Sequence, residues 1–139
     1  MRTKMLIFVA LLAAGGVSTA HAASLKDQLK AETASVGLHP GMDPGMYVCA
    51  ANHLHIKGMV ENTANVAVGR VKVGGKAFSA DGKLLGTATT STKEAILAPG
   101  AKAEFNLEFL TVSGAAVDRV KKHDVFVVDA APVKKTSTK

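Results

Sequence analysis

The side chains with the most capacity for chemistry crowd into one stretch, HPGMDPGMYVCAANHLHIKGM, residues 39 to 59. It holds His39, His53 and His55, Met42, Met46 and Met59, and Cys49, the sole cysteine of the chain. Imidazole, thioether and thiolate groups are donors for soft metal ions. His53 and His55 are two positions apart, so on an extended strand they share a face. Their ring nitrogens can then hold one ion together with a third donor from elsewhere. Cys49, Met42 and Met46 add soft sulfur that suits Cu(I). The candidate metal set is therefore His53, His55, Cys49, Met42 and Met46, with copper as the ion. The competing expectation is structural. Methionine fills gaps in cores and a free cysteine behaves as a small hydrophobe. Two histidines on the polar face of a strand need no ligand, and no spacing here matches a fixed metal motif.

Other chemistries find less support. Cys49 with His53 or His55 is a formal thiolate pair, but nucleophilic catalysis also needs a third, orienting group. The surroundings of Cys49, Tyr47-Val48-Cys49-Ala50-Ala51, are apolar, and the chain has no G-x-S-x-G. Gly75-Lys76 is not a phosphate loop, because Arg70 and Ala77 stand where that pattern requires Gly and Ser or Thr. Glu104 and Glu108 alternate with apolar residues and are expected to face solvent. The expectation is a protein that is not an enzyme.

The chain opens MRTKMLIFVALLAAGGVSTAHAAS. A basic start, an apolar run and the small-x-small site Ala20-His21-Ala22 make residues 1–22 a secretory signal peptide. Its removal takes Arg2 and Lys4 away and lowers the formal charge from +6 to +4. The remaining excess is mild, spread out, and not interleaved with aromatics, which argues against nucleic acid as a partner. One cysteine allows no internal disulfide framework. The expected location is periplasmic or secreted, with no membrane span once the leader is cleaved.

The elements that must position these residues follow from periodicity. Residues 24–36 suit a short helix or a frayed arm, with Ser24 as N-cap and Leu25 and Leu29 on one face. GLHPGMDPGM, residues 37–46, has two Pro-Gly pairs and predicts two successive turns in a linker. From His53 the period becomes two: Leu54, Ile56, Gly58 and Val60 alternate with His53, His55, Lys57 and Met59. Further strands are predicted in 70–78, 83–92, 103–112 and 124–130, with Asp81-Gly82 as a hairpin turn and Pro99-Gly100 as another. Phe105, Leu107 and Phe109 form the cleanest apolar face. Val117 to Val120 is a loop or one helical turn. Short strands with turns between them and no room for crossover helices predict an all-β antiparallel sandwich over residues 47–131. It follows an arm and linker over 23–46 and precedes a disordered basic tail over 132–139.

Leu54-His55-Ile56-Lys57-Gly58-Met59-Val60-Glu61-Asn62 resembles the opening L-x-V-x-G-x-V-x-N strand of FxLyD-type domains. Val71-x-Val73, Asp81-Gly82-Lys83 and Pro99-Gly100 followed by Phe105 continue the likeness, which spans residues 53 to 129. The eponymous positions hold Gly75, Ala77, Phe78 and Ser79, small where the family favours bulk, which predicts a thinner core. The resemblance implies an immunoglobulin-like sandwich in an exported bacterial protein, serving as a binding or structural module of the cell envelope. The expected partner is an envelope or exported protein. Strand 87–92, rich in Thr, is the candidate docking edge, because an edge strand has unpaired backbone groups. Gly58 is expected to permit a close approach, and Asn62 to hold the following turn.

Overall fold

Alternation of apolar and polar residues becomes two packed sheets in the computed structural model, which describes residues 24–134. The expected leader over 1–22 and the part of the expected tail beyond residue 134 lie outside the described residues. Nine strands follow in chain order: β1 (Leu29–Thr33), β2 (Met46–Val48), β3 (His53–Asn62), β4 (Val68–Gly69), β5 (Lys72–Phe78), β6 (Leu84–Ser91), β7 (Ile96–Leu97), β8 (Lys102–Ser113) and β9 (Lys122–Asp129). The first sheet is built on β3, which pairs with β8 along one edge and with both β1 and β2 along the other. The second sheet has the order β6-β5-β9, and β4 and β7 form a small separate ladder. All pairings are antiparallel. The expected all-β antiparallel sandwich is the observed class, and among the described residues no helix is long and apolar enough to cross a membrane.

The core lies between the sheets. On β3 and β8 the inner pairs are Leu54 opposite Phe109, Ile56 opposite Leu107, Gly58 opposite Phe105 and Val60 opposite Ala103. All eight are buried. Phe105 and Phe109 are the largest fully buried side chains, and each contributes roughly 1.5–3 kcal/mol through its burial. Val73 and Ala77 of β5 face them, with Ala88 of β6 and Val125 and Val127 of β9 completing the layer.

Three segments depart from expectation. Residues 25–28 form only a 3-10 turn, and β1 follows directly. The helical spacing of Leu25 and Leu29 loses to sheet pairing, because Leu29 and Ala31 pack on the core from a strand. The Pro-Gly stretch is not a linker into the sheet, since the strand before it already belongs to that sheet. It makes the two expected turns, with Met42 N–H bonded to the His39 carbonyl and Met46 N–H to the Asp43 carbonyl. Gly41 and Gly45 sit at φ 78° and 84°, the third-position requirement of a type II turn after Pro. The chain after β9 stays attached for a few residues: Pro132 bridges Val68, and Val133 N–H bonds the Ala67 carbonyl.

Candidate functional site

The outer face of the first sheet carries a row of polar side chains at the β2 end of β3. Register sets the row: Tyr47 of β2 is opposite His55 of β3, and His55 is opposite Glu108 of β8. Asn106 lies one step along β8, opposite Lys57. Cys49 follows β2 directly and enters the turn to β3. Its N–H bonds the His53 carbonyl, and Asn52 N–H bonds the Cys49 carbonyl. Asn52 takes the left-handed conformation at φ 62°, a role asparagine tolerates in tight hairpin loops. Alternation along β2 thus sends Met46 and Val48 inward and Tyr47 outward.

His55 is the centre of the row. Although it belongs to the outer face, it is only 8% exposed. The Tyr47 ring covers it in a stacked arrangement, with centroids 4.8 Å apart. Its Nδ1–H donates to Asn106 Oδ1 at 3.1 Å, and Asn106 Nδ2 donates to the Tyr47 hydroxyl at 2.8 Å. The Lys57 ammonium lies 5.0 Å from the Tyr47 ring centre. This chain of contacts fixes which imidazole nitrogen carries the proton. The other nitrogen, Nε2, is buried and has no hydrogen-bond partner. It faces Glu108 Oε1 at 3.9 Å, beyond hydrogen-bonding range. His53 Nδ1–H donates to the same Glu108 oxygen at 3.1 Å, where a register shift between His53 and Leu54 adjusts the strand.

Donor atoms of Cys49, His55 and Glu108 all lie within 4.8 Å of one another. Cys49 is a free, half-buried thiol. It also borders an open groove of about 510 Å³, which His39, Met42 and Val117 line as well. Of the five residues singled out in the sequence, the structure brings Cys49 and His55 together. His53 joins through Glu108, and Met42 lines the same groove as Cys49. Met46 is placed elsewhere: at 3% exposure its sulfur is part of the hydrophobic core, because its position opposite Ile56 faces it inward. Glu108, Asn106 and Tyr47 are the members that sequence reasoning missed. Their signal is parity, since Asn106 and Glu108 fall on the polar side of β8 as His53 and His55 do on β3.

The expected docking edge, residues 87–92, falls on β6 and the residue after it. β6 is the terminal strand of its sheet, but it abuts β8 at Gly86. A Cβ there would lie 2.5 Å from Val112 Cγ2 and 2.9 Å from Thr111 Oγ1. Just beyond the strand, Lys93 N–H bonds the Glu104 carbonyl of β8. Comparison with family models, curated proteins and solved structures returned no match.

Proposed function

We propose that the protein is an exported, non-catalytic β-sandwich that acts as a binding module of the cell envelope, and that it binds through the row at Tyr47, His55, Asn106 and Glu108. One observation carries the reading. His55 Nε2 is buried without a partner, inside a network whose other members are already hydrogen-bonded. Leaving a buried polar atom unpaired costs about 1–3 kcal/mol. A ligand that reaches Nε2 from the Cys49 and Glu108 side would complete the arrangement. The basic, apolar and small-x-small leader supports export, and the order of strand motifs supports a domain of FxLyD type.

The test uses untagged protein recovered from the exported fraction and weighed by native mass spectrometry at neutral pH. Wild-type protein is expected to carry an added mass that His55→Phe lacks. Recovery of both at the bare mass of the chain overturns the reading.

A further inference from the structure

We infer that the ligand of this row is a borderline divalent metal ion of the zinc class, held by the Cys49 thiolate, His55 Nε2 and one Glu108 carboxylate oxygen. The inference rests on the reading of this face as the binding site. It differs from the copper expected of a Met-rich stretch, because folding sorts the donors. Met46 is in the core, and the third donor is a hard carboxylate oxygen instead of a thioether. One sulfur, one imidazole nitrogen and one carboxylate oxygen is a donor mixture that zinc accepts, with a fourth position left for water or substrate. Cu(I) favours sulfur-rich sites.

Two features of His55 beyond its distance to the other donors support it. His55 is more than nine-tenths buried, and its unpartnered Nε2 is turned toward Glu108. Its Nδ1–H is committed to Asn106, and Asn106 in turn to Tyr47. A metal-binding imidazole is commonly prepared this way, with one nitrogen tied to an outer acceptor so that the other presents its lone pair. His53 plays the matching part for the carboxylate, which it orients by donating to Glu108 Oε1. His53 is therefore assigned outside the ligand set. Zinc bonds of about 2.0–2.3 Å in a tetrahedron place ligand atoms roughly 3.5 Å apart. The donors, within 4.8 Å of one another, need to close by roughly 1 Å on this geometry. Glu108, whose side chain is 48% exposed, has room to swing in. The exposed Glu108 side chain leaves the site open to solvent on one side.

The experiment is titration of reduced, untagged full-length protein with Zn(II), and with Co(II) as a spectroscopic probe. One equivalent is expected to bind, and Co(II) is expected to give a thiolate-to-metal charge-transfer band. Cys49→Ser should remove the band. His55→Phe and Glu108→Gln should each weaken Zn(II) binding at least tenfold, while Met42→Leu leaves it unchanged. Glu108 is exposed, so Glu108→Gln keeps the test decisive should His55→Phe fail to fold. Absence of the band from wild-type protein, or Zn(II) affinity unaltered by Glu108→Gln, overturns the assignment. Tighter Cu(I) than Zn(II) binding that is lost in Met42→Leu also overturns it. If the native mass spectrum shows an added mass that is not a metal, the zinc assignment fails while the binding-module reading stands.

Discussion

Leu107 of β8 occupies the space that a side chain on Gly75 of β5 would need. A Cβ at position 75 would lie 2.6 Å from Leu107 Cδ1 and 3.1 Å from Phe109 Cζ. The glycine is thus half of a complementary pair across the core. Small residues on the second sheet were expected to thin the interior, and the first sheet fills the gap with Leu and Phe. Gly75→Val should therefore destabilise by about 1–3 kcal/mol through overpacking. The gain from a stiffer unfolded chain, about 0.4–1 kcal/mol, is too small to reverse the sign. A thermal melt reads this directly, and an unchanged midpoint would mean the sheets are not packed as described.

Gly58 presents a harder constraint. Its missing Cβ would fall 2.0 Å from the Glu32 backbone carbonyl and 2.5 Å from Phe105 Cζ. Backbone cannot swing aside as a side-chain tip can. Gly58→Ala is expected to cost about 3 kcal/mol, the upper end of overpacking penalties, and to loosen β1 from β3. Amide exchange should accelerate over Leu29–Thr33 more than over β8.

Asn62 is fully buried and ties three segments together. Its Nδ2 donates to the carbonyls of Val66 and Leu97, and its Oδ1 accepts from Ala64 N–H. Asn62→Leu keeps the branching and the number of side-chain heavy atoms and removes every one of these bonds. Stranding buried partners at about 1–3 kcal/mol each predicts a loss of roughly 3 kcal/mol. Urea denaturation with an unchanged m-value and a lowered midpoint would report it. A midpoint equal to wild type would show that the side chain does not pin the turn.

Asp81 shapes the β5–β6 turn, where Gly82 adopts φ 83°. The Ser79 hydroxyl, hydrogen-bonded to it, holds the Asp81 carboxyl below the usual aspartate range, with help from backbone amides. A depressed folded-state value means stabilisation that is present above the unfolded-state value and lost as pH falls through the folded one. The group is fully exposed, so screening keeps the effect small. NMR titration should place the Asp81 midpoint below that of an unperturbed aspartate. Ser79→Ala should move it upward, and no movement would mean the hydroxyl is not the cause.

Much of this fold was legible where alternation ran long. The strand read from His53 to Asn62 coincides with β3, and residues 103–112 lie within β8. The two Pro-Gly turns and the Asp81-Gly82 hairpin follow from glycine alone tolerating positive φ without strain. β1 escaped notice because five residues with two inward side chains carry too little period to outweigh a helix-like spacing. β2 and β4 are shorter still, and pairing across space defines them. The site was half legible for a related reason. Parity along a strand says which face a residue takes, and it does not say which strands are neighbours. Tyr47, His55 and Glu108 meet only because β2, β3 and β8 are adjacent. The burial of His55 depends on that adjacency too, since an outer-face histidine reads as exposed until its cover is known.

The segment between β1 and β2 leaves the sheet and comes back to the same place. Ala34 N–H bonds the Lys57 carbonyl, and Lys57 N–H bonds the Gly45 carbonyl. One residue of β3 thereby clasps both feet of the excursion. Closure entropy rises only slowly with length, by about 0.6 kcal/mol per doubling. Foreign peptides of other lengths could be grafted between those feet while the sheet keeps its register, which would make this sandwich a display scaffold with its presented loop beside the Tyr47–His55 face.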